Sequence, residues 1–242
     1  MNKRILLVLG ASSDIGQAYI DKYEQKYDKI IIQYRTLNSY LEGIQNKLKE
    51  KIISFQADFL FEDDTIQFVN NLANIGLIPT NILHIPAAKL SVKKFQKLDW
   101  VEFQNDFDIQ LRSAFYLLKV MLPKMIINGG GKIVFILSSN TVNQPPKNFT
   151  EYTTIKYAML GFMKSLSQEY ANKNIKINAV SPSMIETKFL ENIPYLAIQQ
   201  SAQLSSVGRN ATTDDVIPMI DFLLSDYADY ITGQNMVISV GQ

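Results

Sequence analysis

Tyr152 and Lys156 are the residues whose spacing most directly suggests chemistry. Of twelve tyrosines, Tyr152 alone has a lysine four residues further on. On a helix, positions i and i+4 share one face, so a phenol and an ammonium would enter the same space. A positive charge near a phenol favours the phenolate and lowers a pKa that starts near ~10. A tyrosine tuned in this way can act as a general acid–base near neutrality. The same spacing arises by chance on surface helices, so the pair gains meaning only if the chain also supplies a cofactor site.

Such a site is legible at the N-terminal end. The apolar run Ile5-Leu6-Leu7-Val8-Leu9 reads as a strand covered on both faces. It enters the small-residue turn Gly10-Ala11-Ser12-Ser13-Asp14-Ile15-Gly16, and a helical pattern follows from Gln17 to Tyr27. Strand, turn and helix in this order form the first half of a dinucleotide-binding unit. The glycines permit close helix–strand packing, and the helix start offers N–H groups to a pyrophosphate. A second strand, residues 29–33, ends at Tyr34-Arg35. This position lies beside the adenosine ribose. A guanidinium there suits a 2′-phosphate, so NADP(H) is the preferred cofactor and NAD(H) the alternative.

Strands and helices continue to alternate. Strand patterns at 51–56, 81–85, 132–137, 175–180 and 235–240 are separated by helical ones, including a long helical region at 98–127 and another at 150–171. This implies an α/β fold: a single-domain Rossmann fold spanning 1–242, with a doubly wound parallel sheet of about seven strands and helices on both faces. Ligands of such sheets bind beyond the carboxyl ends of the strands. Those ends hold Gly10, Arg35, Asp58, Pro86-Ala87-Ala88 and Ser138-Ser139. Residues 186–210 lack a regular period and read as a mobile covering loop with apolar content.

Bulk properties narrow the function further. The chain has 242 residues, 47% of them hydrophobic, and a formal net charge of +1. Acids and bases are mixed along it, which argues against nucleic acid as the main partner. With no cysteine and one histidine, thiol catalysis and multi-histidine zinc centres are excluded, and no metal site is expected. No apolar stretch approaches a membrane span, so a cytoplasmic protein is expected. His84 reads as a hydrogen-bonded core residue, Trp100 as packing on the long helix, and Glu62-Asp63-Asp64 as acids at a helix start.

These marks together resemble the classical short-chain dehydrogenases/reductases, most closely those like 3-oxoacyl-acyl-carrier-protein reductases. They are Gly10 to Gly16, Tyr152 to Lys156, the segment Ile177 to Thr187, and the closing Tyr230-Ile231-Thr232-Gly233-Gln234. The resemblance implies that Tyr152 protonates a small-molecule carbonyl while NADPH delivers hydride. It implies that Lys156 bonds the nicotinamide ribose and that a serine at the end of the fifth strand holds the substrate oxygen. Counting from Gly131 selects Ser138 and counting back from Tyr152 selects Ser139; Ser138 is preferred. The turn residues Gly10, Ser12, Ser13, Asp14, Ile15 and Gly16, with Asp58, Ala87, Pro182, Ile185 and Thr187, would line the dinucleotide. Assembly as a homodimer or homotetramer is also implied.

The chain departs from that pattern in four places. Asp14 replaces the middle glycine of the turn, and Ile85-Pro86-Ala87-Ala88 replaces Asn-Asn-Ala-Gly. Gln110 stands where an asparagine completes a proton relay, and Pro182-Ser183 replaces Pro-Gly. These departures motivate a rival reading, a non-catalytic dinucleotide-binding sensor or scaffold.

Overall fold

A computed structural model describes residues 3–241; Met1, Asn2 and Gln242 of the expected 1–242 domain lie outside the described residues. Seven parallel strands form one sheet: β1 (Ile5–Leu9), β2 (Lys29–Tyr34), β3 (Ile52–Gln56), β4 (Asn81–His84), β5 (Gly131–Ile136), β6 (Ile175–Pro182) and β7 (Asn235–Ile238). Their spatial order is β3-β2-β1-β4-β5-β6-β7, as expected for the doubly wound class.

Each strand feeds two cores. In β1, Ile5, Leu7 and Leu9 join one buried cluster, while Leu6 and Val8 join the other. β5 divides likewise, with Ile133 and Phe135 on the first face and Val134 and Ile136 on the second. Side chains alternate across a strand, so a run that is apolar at every position requires cover on both faces. The first face is covered by α3 (Glu62–Asn74), α5 (Ser113–Ile127) and α6 (Thr150–Tyr170), and the second by α1 (Asp14–Tyr23), α2 (Ser39–Leu48) and α8 (Thr213–Leu224).

The order in which strands are added switches sides at β1, which pairs with β2 on one side and β4 on the other. The crevice between the carboxyl ends of β1 and β4 is where this topology places a ligand.

Two elements differ from the sequence expectation. The helical region at 98–127 is interrupted: α4 (Trp100–Phe107) passes through a π-helical turn, Asp108–Arg112, before α5 begins. The covering segment at 186–210 is not wholly irregular. It contains a 3-10 turn at Lys188–Leu190 and the helix α7 (Tyr195–Leu204). None of the α7 residues is buried, so no apolar stripe marked the helix in the sequence.

Candidate active site

Gly10 follows β1 at φ +74°, and a Cβ there would lie 3.3 Å from the Pro86 nitrogen. Positive φ and close backbone approach both favour glycine. Gly16 sits where helix meets strand, and a Cβ would meet Ala11 Cα and the Gly10 carbonyl oxygen, each at 3.0 Å. The Ser13 hydroxyl caps α1 by accepting from the Gly16 N–H at 3.2 Å. The N–H groups of Asp14 and Ile15, in the first turn, have no intrahelical acceptor and suit an anion.

The Asp14 carboxylate is turned to another use. Its Oδ2 accepts from the Lys188 backbone N–H at 2.8 Å, which ties the turn to the covering segment. A second tie, Lys89 to Glu191 at 2.6 Å, joins the segment after β4 to the same cover. An open cavity of about 800 Å³ is lined in part by Asp14, Thr187, Lys188 and Leu190.

Beneath the turn lies Gln33, buried in the apolar strand β2. Its Oε1 accepts from the Gly10 N–H at 3.0 Å and its Nε2 donates to the Ala57 carbonyl at 2.7 Å. This side chain locks three strand ends together. It was not singled out in the sequence, although a lone amide closing an isoleucine run is a visible signal. Arg35 follows with its side chain exposed, and its carbonyl accepts from Gln56 Nε2. Asp58 uses its Oδ1 to accept from the Leu60 N–H at 3.0 Å, fixing the turn after β3. Ala87 lies in the extended segment after β4, while Ile185 bridges Ala211, and the Thr187 hydroxyl donates to the Ile185 carbonyl. Ser12 anchors the turn by accepting from Gln17 Nε2 at 2.7 Å. Pro182 ends β6, in register with Ile238.

Tyr152 and Lys156 share one face of α6, with Lys156 Nζ 5.5 Å from the Tyr152 ring centroid. Lys156 is buried, and its Nζ donates to the Ile136 carbonyl at 3.0 Å. The phenol is half-buried between Phe149 and Phe189, with both ring centroids 6.2 Å away. The Ser138 hydroxyl lies near enough to favour its charged form. Ser139 has no such contact. It opens the turn after β5, its carbonyl accepting from the Val142 and Asn143 N–H groups at 2.9 Å. Of the two serines, the structure brings Ser138 to the tyrosine.

The expected lowering of the Tyr152 pKa is corrected. Burial is the dominant cause and pushes the phenol up to about 12; the Ser138 hydrogen bond lowers it and the charge of Asp106 adds to the rise. Burial also pushes the Lys156 ammonium down to about 8, against the opposing pull of Asp106. Loss of hydration disfavours the charged form of each.

Gln110 is buried. It lies in the π-helical turn, and its amide Nε2 donates to Asp106 Oδ1 at 2.6 Å. His84 is a core residue: it packs on Phe135 at 5.2 Å, and burial pushes its imidazole down to about 3. Trp100 stacks on Phe103 at 5.5 Å yet stays largely exposed, so it covers α4 without entering the core. Glu62, Asp63 and Asp64 open α3. Among the described residues, no cluster of acids and histidine could hold a metal ion, and no helix is long and apolar enough to cross a membrane.

Comparison with known proteins bears on this geometry. A family model described as enoyl-(acyl carrier protein) reductase matches residues 10–242. The 3-oxoacyl-(acyl-carrier-protein) reductase FabG of Thermotoga maritima is 28% identical over 244 residues, covering 98% of this chain and 97% of that protein. Nodulation protein G of Rhizobium meliloti is 27% identical over 239 residues, covering 98% and 96%. Among solved structures, levodione reductase superposes with a TM-score of 0.89 at 22% identity over 99% of this chain and 97% of that one. YwfH, an NADPH-dependent reductase of bacilysin biosynthesis, gives 0.87 at 23% identity, covering 99% and 98%.

The tight glycine cradle and the free N–H groups of Asp14 and Ile15 at the start of α1 fit a nicotinamide dinucleotide. The chain belongs to the classical short-chain dehydrogenases/reductases, NAD(P)-dependent oxidoreductases, and within them resembles the 3-oxoacyl-acyl-carrier-protein reductases.

Proposed function

We propose that this protein is an NADP(H)-dependent carbonyl reductase in which Tyr152 is the proton donor. The observation that carries this reading is the Lys156 ammonium held 5.5 Å from the Tyr152 ring centre on one face of α6, with the Ser138 hydroxyl favouring the charged form of the same phenol. The dinucleotide, when bound, supplies the hydride that reaches the carbonyl carbon. A phenol pushed up to about 12 keeps its proton at neutral pH, the form needed to protonate a carbonyl oxygen. The Ser138 hydroxyl is placed to bond that same oxygen and to steady the phenolate left behind. Lys156 contributes charge next to the phenolate and would bond the nicotinamide ribose.

Arg35, exposed at the end of β2, supports a preference for the 2′-phosphate of NADP(H). The site is walled by Leu90, Phe149, Phe189, Leu190 and Ile193, which favours an apolar ketone such as a 3-oxoacyl thioester. Exposed Trp100, Val101, Phe115 and Tyr157 on α4, α5 and α6 support a homodimer or homotetramer built on these helices. The test is steady-state oxidation of NADPH and of NADH over a panel of ketones. Turnover with a preference for NADPH is expected. Tight dinucleotide binding without turnover of any carbonyl would favour a sensor or scaffold instead.

A further inference from the structure

The covering segment meets the rest of the chain at two levels. Its base is fixed to the fold, where Ile185 bridges Ala211. There the Glu186 N–H donates to the Ala211 carbonyl at 2.9 Å, and the Ala211 N–H to the Met184 carbonyl at 3.0 Å. Its tip begins with the 3-10 turn Lys188–Leu190 and reaches the tyrosine. The Phe189 ring stands 6.2 Å from that of Tyr152, and Leu190 and Ile193 join Leu90 in a small buried cluster against it.

A helical turn begins with N–H groups that lack an internal acceptor. Thr187, the N-cap of this one, makes no side-chain cap bond, and its hydroxyl donates to the Ile185 carbonyl instead. The acceptor comes from 174 positions away: Asp14 Oδ2 takes the Lys188 N–H at 2.8 Å. Asp14 lies in the first turn of α1, so the turn that suits a pyrophosphate also caps the tip of the cover. The Lys89 and Glu191 pair is a second polar tie to the tip. Its side chains are 67% and 50% exposed, and ion pairs in that setting contribute little. A bond from a carboxylate to a backbone N–H is the stronger of the two.

We propose that Asp14 is a positioning residue: it clamps the cover so that the dinucleotide turn, Phe189 and Tyr152 are held as one unit. The inference rests on the reading of Tyr152 as proton donor and of the α1 turn as the dinucleotide site. It gives the acid that stands in place of a turn glycine a purpose in that site. Release of a dinucleotide from the turn then requires the clamp to open.

Hydrogen–deuterium exchange over residues 186–193 tests the clamp without dinucleotide or ketone. Asp14→Ala removes the acceptor, whereas Asp14→Asn keeps an oxygen in the same place. The N–H groups of Leu190 and Ile193 are bonded within the tip, to the Thr187 and Leu190 carbonyls at 3.0 and 2.8 Å, and so report its opening. With alanine, they and the Lys188 amide should exchange roughly 10-fold faster, while β1 keeps its wild-type rates. Asparagine should restore most of the protection, and Glu191→Gln should alter it less than about twofold. Release of NADPH, followed by stopped-flow fluorescence, should quicken by a similar factor with alanine and return towards wild type with asparagine. Unchanged exchange at Leu190 and Ile193 in Asp14→Ala would overturn the proposal, as would an asparagine variant no better protected than alanine. Faster exchange shared by β1 would mark a general loss of stability, and unchanged NADPH release would confine Asp14 to the cover's own folding; either also overturns it. Turnover by Tyr152→Phe at the wild-type rate would refute the proton donor, whereas the exchange rates decide the clamp separately.

Discussion

Replacing Lys156 by methionine should stabilise the protein while abolishing its chemistry. Burial holds the Lys156 ammonium at about 8 in the folded chain, against 10.5 for an ordinary lysine. The unfolded chain therefore binds more protons between those values, and the folded state bears the cost of a desolvated charge below them. The cost is fully present below the folded pKa and disappears as pH rises through the unfolded one. A shift of this size corresponds to about 3 kcal/mol at neutral pH. Methionine has a similar length without the charge, but it loses the 3.0 Å bond to the Ile136 carbonyl, which offsets about 1 kcal/mol. A net stabilisation of about 2 kcal/mol is expected at pH 7. The assay is urea unfolding of both proteins at equal concentration, at pH 7 and pH 10. All other titrating groups cancel in the difference, so the advantage of methionine should shrink by about 2 kcal/mol or more at the higher pH. Equal destabilisation at both values would show that Lys156 is not a buried, strained charge, and the electrostatic account of the site would fail.

Two further outcomes follow from the same geometry. Ser138→Ala removes the hydroxyl that favours the charged form of Tyr152; kcat should fall about 10- to 100-fold, and the phenol should titrate still higher. Gly16→Ala places a methyl 3.0 Å from Ala11 Cα and the Gly10 oxygen, backbone atoms that cannot swing aside. It should cost about 1–3 kcal/mol in urea unfolding and weaken dinucleotide binding in calorimetry by about tenfold or more.

The legible parts of this molecule were those governed by short-range pattern. The five-residue run of β1 demanded cover on both faces and received it, and the glycines at 10 and 16 marked backbone positions where a side chain has no room. The Tyr152 and Lys156 spacing correctly placed both on one face of α6. What the sequence hid depended on distant parts of the chain. The direction of the Tyr152 shift turned on burial by Phe149 and Phe189, 3 residues before it in the chain and in the cover respectively, and a charge-pair argument omits that desolvation. Asp14, in place of a glycine of the turn, found a backbone partner at Lys188, across most of the chain. The π-helical turn around Gln110 was invisible because its apolar spacing resembles that of the flanking helices.

The central claim is that Tyr152 gives its proton to a carbonyl oxygen. The most direct measurement is single-turnover NADPH oxidation by Tyr152→Phe with a ketone that the wild-type protein reduces, alongside calorimetric NADPH binding. Phenylalanine keeps the ring between Phe149 and Phe189 and removes only the hydroxyl, so binding should persist while the rate falls about 10²- to 10⁴-fold. A variant that binds NADPH and reduces the ketone at the wild-type rate would contradict the claim.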